Sequence, residues 1–258
     1  MSILITGSNG YIGKSLYNSL RLHHKVLTIS RQEVDLTNSE SVRNYFKDKY
    51  FDTIIHCAVS GGNRTKHDTS EVIDNNLKMY YNLLDNKKHF NKFIHFGSGA
   101  EIHFKDTPYG LSKHVIRESI LGQDNFYNLR IFAVFDENEL ETRFIKTSIK
   151  KYLENQSIEI FKDKRMDFLY MPDLITLVNY YLNNNDLPKE IDCKYNYTPT
   201  LLDIAEIING LDNYRVPIKF NSTINDKAYI GKFHNLGLNF IGLEQGIINT
   251  YNKIKNEY

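Results

Sequence analysis

Ser2-Ile3-Leu4-Ile5-Thr6-Gly7-Ser8-Asn9-Gly10-Tyr11-Ile12-Gly13 decides how this chain folds. An apolar run of strand length ends at a glycine, and Ile12, Leu16 and Leu20 then recur at helical spacing. The reading is strand, glycine turn, helix. Gly7, Gly10 and Gly13 let backbone N–H groups and a helix N-terminus approach an anion that larger side chains would obstruct, and the expected anion is a pyrophosphate. The spacing Gly-x-x-Gly-x-x-Gly is one residue longer at its front than the common dinucleotide fingerprint. Its place, directly after a strand and at the opening of a helix, separates it from an ordinary turn.

The second strand is expected at 25–29, so Ser30-Arg31 falls just past its end. NAD enzymes often carry an acid there for the ribose hydroxyls, whereas an arginine accommodates the 2′-phosphate of NADP. With no acid at the strand end, Arg31 argues for NADP(H), with NAD(H) as the alternative and a plain surface arginine as the bland reading. Asp35-Leu36 follows, where a carboxylate can accept a hydrogen bond from an adenine amine. Ser39 reads as a helix cap.

Strands and helices keep alternating: a strand at 53–56, a helix over about 69–86, a strand at 93–96, a helix opening at Pro108 and a strand at 127–132. The pattern requires a Rossmann-type doubly wound α/β fold, a parallel sheet with helices on both faces. Ligands then gather at the carboxyl ends of the strands, where Gly7, Arg31, Ala58 and Ser98 fall. The helix at Pro108 carries Tyr109-Gly110-Leu111-Ser112-Lys113. Asp106 or Thr107 can cap it, and Pro108 suits its first turn. Residues four apart share a helical face, so Lys113 reaches what Tyr109 reaches, and its charge and the helix dipole both favour the phenolate. Such a tyrosine can pass a proton to or from a sugar hydroxyl while a nicotinamide exchanges hydride. Among 18 tyrosines the pattern also arises by chance, and a half-buried tyrosine beside a solvated lysine is the competing account.

Taken in order, Gly7 to Gly13, Arg31, Asp35-Leu36, His56-Cys57-Ala58, Asn76-Leu77 with Asn82-Leu83-Leu84, Phe96-Gly97-Ser98, Tyr109 to Lys113, and Leu129-Arg130-Ile131-Phe132 resemble the extended short-chain dehydrogenase/reductases. Asp167-Phe168-Leu169-Tyr170-Met171-Pro172-Asp173 looks like that family's strand leading into a substrate-domain helix. Within the group the chain resembles the NADP-using 4-ketosugar reductases of the GDP-fucose synthase type, through Arg31, Ser60-Gly61-Gly62 and Phe96-Gly97-Ser98. The resemblance implies that Gly7, Gly10, Tyr11, Ile12, Gly13, Arg31, Asp35, Leu36 and Ala58 bind the cofactor. It implies further that Ser98 hydrogen-bonds the keto oxygen, Tyr109 donates the proton, and Lys113 holds the nicotinamide ribose. Under a one-residue shift Gly99 takes the serine's place, and Ser98 then only satisfies backbone.

Three departures matter. Gly99-Ala100-Glu101 stands where epimerase/reductases have a cysteine and 4,6-dehydratases a Thr-Asp-Glu triplet, so simple ketone reduction is favoured. The stretch between Ser98 and Tyr109 is short for the family, and Ala133 replaces an asparagine of many relatives. The expected function is NADPH-dependent reduction of the 4-keto group of a nucleotide-linked sugar in surface-polysaccharide sugar biosynthesis. A nucleotide-sugar 4-epimerase or dehydrogenase with tightly held NAD(H) is the alternative, and a non-catalytic cofactor-binding protein a more distant one.

At 258 residues and a net charge of +1, the chain suits one α/β core with a small appended lobe and gives no electrostatic reason to expect nucleic acid or an anionic membrane as partner. Residues 1–132 are expected to form the cofactor domain and 133–258 a small α/β substrate lobe, with the chain free to cross back. No apolar stretch approaches the roughly 20 residues of a membrane span, and a strand at the start leaves no room for a signal peptide. Cys57 and Cys193 lack Cys-x-x-Cys spacing and the histidines lack metal spacing, which fits a cytoplasmic protein without a metal. The glycine-rich, basic loop 60–68 suits either a cover over substrate or a plain surface loop. In the lobe, helices are expected at 141–153, 172–182 and 200–209 and strands at 158–161 and 167–170. Arg143 and Arg165, with Lys162 and Lys164, suit a substrate diphosphate or a solvated charged face. Val72, Leu77, Tyr80, Tyr81 and Leu84, with Val115, Ile116 and Ile120, are expected to form the apolar patch of a two-fold homodimer.

Overall fold

The computed structural model describes residues 1–63, 67–222 and 226–256. Up to residue 131 the elements are β1 (Ser2–Thr6), α1 (Tyr11–Leu20), β2 (Lys25–Ile29), α2 (Ser39–Phe46), β3 (Phe51–His56), α3 (Glu71–Leu84), β4 (Phe90–Ser98), α4 (Ala100–His103), α5 (Pro108–Leu121) and β5 (Phe126–Ile131). There follow β6 (Val134–Phe135), α6 (Phe144–Leu153), β7 (Ile158–Ile160), β8 (Leu169–Tyr170), α7 (Met171–Asn183), β9 (Glu190–Asp192), α8 (Leu201–Asn209), β10 (Ile218–Phe220) and α9 (Leu243–Lys255). The chain divides into two compact units: residues 1–130 with 178–191, and residues 131–177 with 192–258.

The first unit is a Rossmann-like α/β layer structure. Its sheet runs β2-β1-β3-β4-β5-β9, with β1 parallel to β2 and β3, and β3 parallel to β4. Ile3, Leu4 and Ile5 of β1 are fully buried, as a strand covered on both faces requires. The chain leaves β1 for β2 on one side and returns to β3 on the other, so the strand order reverses between β1 and β3. Crevices for ligands form at that reversal, beyond the carboxyl ends of the strands. Helix starts follow local chemistry. Thr107 caps α5 by accepting from the Gly110 N–H at 3.1 Å, with Pro108 in the first turn. The cap of α2 is Asn38, not Ser39: its Oδ1 accepts from the Ser41 N–H, and an amide carbonyl one residue earlier fills the role.

The segment 178–191 is fastened by two buried cations, Lys92 and Arg130, and the partly buried Arg117. Lys92 donates to the carbonyl oxygens of Tyr181 and Asn184 at 2.6 and 2.7 Å, at the end of α7, where a cation complements the helix dipole. Glu190 on β9 receives Arg117 from α5 and Arg130 from β5. In this unit Val72, Tyr80, Ile116 and Ile120 are part of the buried core. Half of the expected dimer patch is therefore consumed internally, because α3 and α5 pack on the sheet and on one another. Leu77, Leu84 and Val115 are partly covered, and Tyr81 is exposed.

The second unit holds two short parallel pairs, β6 with β8 and β7 with β10. Its core combines Ile145, Ile149 and Tyr152 of α6 with Ile204 and Ile208 of α8 and Ile247 and Ile254 of α9. Asp167 and Asp173, from the stretch read as a strand entering a helix, organise loops here. Asp167 accepts from the Thr198 hydroxyl at 2.5 Å and the Gly231 N–H at 2.7 Å, and pairs with Lys194 at 3.0 Å. Asp173 accepts from the Tyr195 hydroxyl and from the Ile241 and Gly242 N–H groups. Among the described residues no helix is long and apolar enough to cross a membrane.

Candidate active site

A cavity of about 360 Å³ opens at the β1/β3 reversal, within the size range of small-molecule sites. Gly7, Gly10, Arg31, Asp35, Leu36 and Ala58 line it, together with Ser8, Asn9, Thr37, Val59, Ser60, Asn75 and Met79. Gly7 has φ +67°, and a Cβ there would sit 2.5 Å from the Ala58 backbone nitrogen; one on Gly13 would sit 2.4 Å from the Gly7 oxygen. Those two glycines close the turn onto β3 and α1, while Gly10 faces the cavity. Tyr11, Ile12 and Gly13 form the first turn of α1, and a helix N-terminus set directly after a glycine turn suits a phosphate. The glycine turn and helix start supply the chemistry that a dinucleotide's pyrophosphate requires.

At the β2 end, Arg31 lines the cavity and its charge acts on Asp35, whose carboxyl is held below its usual range chiefly by hydrogen bonds from Thr37. An acid follows four residues past Ile29, beyond the strand end itself. Glu33 folds its carboxylate back onto the N–H and hydroxyl of Ser30, both at 2.8 Å, and those bonds lower its pKa. The Ser-x-x-Glu spacing was the available signal, since a serine and a glutamate three apart can exchange such bonds at the start of a turn.

Ser98 ends β4 and is buried; its Oγ accepts from the Ala100 N–H at 3.2 Å, leaving the hydroxyl proton for another partner. Its own N–H donates to Glu101 Oε2 at 3.2 Å. Glu101 is fully buried and also receives Asn128 at 2.8 Å and Arg130 at 2.5 Å, so it braces the strand end. Burial raises its pKa against the pull of Arg130. Gly97 is explained by the same cluster, because a Cβ there would meet Asn128 and Glu101 at 2.6–2.7 Å. No sequence pattern announced Glu101 as a brace, since its side-chain partners lie 27 and 29 residues away.

Tyr109 opens α5 half-buried, its ring against Gly62, where a Cβ would lie 2.9 Å from the ring carbons. Lys113 is far from the solvated lysine of the bland reading: it is buried, and its Nζ donates to the Phe96 carbonyl at 2.7 Å. That bond ties the lysine to the strand ending at Ser98. Burial pulls its pKa down to about 8. The Tyr109 ring centroid lies 5.9 Å from Lys113 Nζ. Asn76, on α3, braces the neighbourhood by accepting from the Ser60 N–H and donating to the Ser60 carbonyl and the Ser112 hydroxyl. Of the loop 60–68, Arg64, Thr65 and Lys66, which include its basic part, lie outside the described residues.

Residues 3–196 match the model of the NAD dependent epimerase/dehydratase family. The chain belongs to that family. It is 24% identical to the CDP-abequose synthase of Yersinia pseudotuberculosis over 81% of this chain and 82% of that protein. To the GDP-L-colitose synthase of the same organism it is 24% identical, covering 100% of this chain and 99% of that one. Its structure is similar to that of a GDP-mannoheptose C4 reductase from Campylobacter jejuni solved with NADP bound, with TM-score 0.79, 18% identity and 98% of each chain covered. The fold is thus that of epimerase/dehydratase family enzymes.

Arg143 and Arg165 belong to the second unit. Arg143 precedes α6, and its charge acts on the buried Glu139, a carboxyl pushed up to about 8 mainly by desolvation. Arg165 is exposed, bridges to Thr200, and its charge acts on Tyr197. The two arginines sit on different pieces of that unit. Lys164 is paired with Asp226 at 3.6 Å.

Proposed function

We propose that this chain is an NADPH-dependent reductase of the 4-keto group of a nucleotide-linked sugar. The observation that carries the reading is the bond from buried Lys113, one helical turn on from Tyr109, to the strand that ends at Ser98, in a unit that also holds a glycine-lined cavity including Arg31. The relatives' names, which refer to CDP- and GDP-linked sugars, support the substrate class. When bound, the cofactor supplies the hydride. The Ser98 hydroxyl donates to the keto oxygen, and Tyr109 delivers the proton to it. Lys113 holds a positive charge beneath the phenol, which favours release of that proton, and it binds the ribose. Gly7, Gly10, Gly13 and the first turn of α1 take the pyrophosphate, Asp35 and Leu36 the adenine, Ala58 the groove wall, and Arg31 the 2′-phosphate. Arg143 and Arg165 are proposed to meet the substrate's diphosphate. A role in surface-polysaccharide sugar synthesis in the cytoplasm is the setting that fits such a substrate.

The test is a panel of nucleotide-linked 4-ketosugars with NADPH. Stoichiometric NADPH consumption is expected; turnover that consumes none would instead favour the 4-epimerase with retained NAD(H). Cofactor choice has its own test. Removing a charge-assisted phosphate contact should weaken binding by roughly 10- to 100-fold, so Arg31→Ala is expected to raise the Kd of NADPH by that factor and to spare NADH. Equal losses for both cofactors, measured by fluorescence titration, would remove Arg31 from the phosphate site. We also propose a two-fold dimer through the parts of α3 and α5 the core does not consume, around Tyr81 and Val115. Light scattering at micromolar concentration should give twice the chain mass, and a monomer mass with and without NADPH rejects it.

A further inference from the structure

Thr6, His56 and His95 form a row across three neighbouring strands near their carboxyl ends, in register: Thr6 opposite His56, and His56 opposite His95. Residues paired in this way present their side chains to one face of the sheet. Thr6 Oγ1 and His56 Nδ1 share a hydrogen bond of 2.8 Å, and the same hydroxyl accepts from the Ala58 N–H of the cavity wall at 3.2 Å. The two imidazoles stack with centroids 5.5 Å apart. At the far end of the row His95 Nε2 lies 3.4 Å from Lys113 Nζ. His95 is 1% exposed, and its Nδ1 has no hydrogen-bond partner.

An unpaired nitrogen on a buried histidine demands a reason. Burial, with Lys113 beside it, holds His95 well below its usual range, so the ring is neutral. A neutral imidazole has one donor and one acceptor nitrogen. Beside an ammonium the facing nitrogen must be the acceptor, and the ring hydrogen is thereby forced onto Nδ1, the atom without a partner. An ammonium has three hydrogens. Phe96 and His95 account for two, which leaves one for a ligand hydroxyl. The other titratable groups acting on Lys113 are Glu101 and Cys57, with His56 beyond His95 and the Tyr109 ring above.

We propose that His95 is a positioning residue, which uses its Nε2 lone pair to hold the Lys113 ammonium at the end of β4 and leaves its own Nδ1–H unpaired to do so. The inference rests on the reductase reading, in which Lys113 meets the nicotinamide ribose. Two variants separate positioning from packing. His95→Phe keeps a flat ring of similar size and loses the acceptor, while His95→Gln restores a neutral acceptor on a different skeleton.

The experiment follows the ε-carbon of Lys113 by NMR in protein carrying ¹³C-lysine, the signal assigned by its loss in Lys113→Met, alongside NADPH titration and turnover. In His95→Phe the lysine midpoint should fall below that of the wild type, because the charged form loses an acceptor. The Kd of NADPH should rise and kcat should fall, each by roughly tenfold. His95→Gln should recover most of all three. A thermal melt confirms that both variants are folded. If folded His95→Phe keeps the wild-type midpoint and Kd, or if His95→Gln is no better than His95→Phe, the proposal is overturned. Should the wild type reduce no ketosugar, the functional reading fails, while the lysine midpoints still decide the His95–Lys113 contact.

Discussion

Replacing Tyr109 with phenylalanine is expected to lower kcat roughly 10²- to 10⁴-fold while leaving the Kd of NADPH within about twofold of wild type, the span that a general acid normally contributes. The change removes one oxygen and keeps the ring that lies against Gly62 and 5.9 Å from Lys113 Nζ, so packing and cofactor site are conserved. No other phenol of α5 can substitute, because Tyr109 is the helix's only tyrosine. Steady-state turnover with paired fluorescence titrations gives the answer. A variant that retains most of the wild-type rate would assign the proton to another group and dismantle the proposed chemistry.

The second large effect concerns stability, at Gly110→Ala. In an exposed helix interior this exchange gains up to about 1 kcal/mol. Here the new methyl would lie 1.9 Å from the Phe104 carbonyl oxygen and 2.9 Å from that of Ala100, both backbone atoms that cannot swing aside. Overpacking of this kind costs about 1–3 kcal/mol or more, and the clash outweighs the propensity gain. A net loss of about 2 kcal/mol corresponds to a Tm lower by roughly 4–8 °C in a chain of this size. Because α4 and α5 must part to relieve the contact, Tyr109 and Lys113 move with the helix and turnover should fall too. Gly122→Ala is the control: its nearest neighbour is 3.6 Å away and little change is expected. A Gly110→Ala protein as stable as wild type in a calorimetric scan would show that the two helices are not so closely locked.

The first unit was legible in sequence because its signals are local. A buried strand, a glycine turn and an amphipathic helix follow one another within twenty residues, and Thr107-Pro108 marks the start of α5 by its own chemistry. Lys113 was read in the right place but not in the right surroundings: its burial depends on Phe96 and His95, which a helical wheel cannot show. Glu33 was legible from its Ser-x-x-Glu spacing with Ser30, whose N–H and hydroxyl both donate to it. The second unit was harder for a physical reason. Its strands have two or three residues, too few to show a period, and β7 pairs with β10 across some sixty residues of chain. The stripe Leu243, Ile247, Tyr251 and Ile254 of α9 has clear helical spacing, and its lack of a capping residue at Gly242 helps explain why it went unread. The acid–arginine chain from Glu101 to Glu190 joins positions whose proximity only the sheet order creates.

That chain of charges bears on how the protein is made. Arg117 and Arg130 share the Glu190 carboxylate on β9, and Lys92 finds its carbonyls at the end of α7, so the first unit borrows its last strand from beyond the middle of the polypeptide. During synthesis the first 130 residues leave the ribosome with two arginines and a lysine still lacking those partners and with the edge of β5 open. The unit closes only after residue 191 has emerged, and nearly fifty residues of the other unit must be threaded out in between. Synthesis from the N-terminus therefore does not deliver one finished domain followed by another; it delivers an open sheet that waits for its own edge.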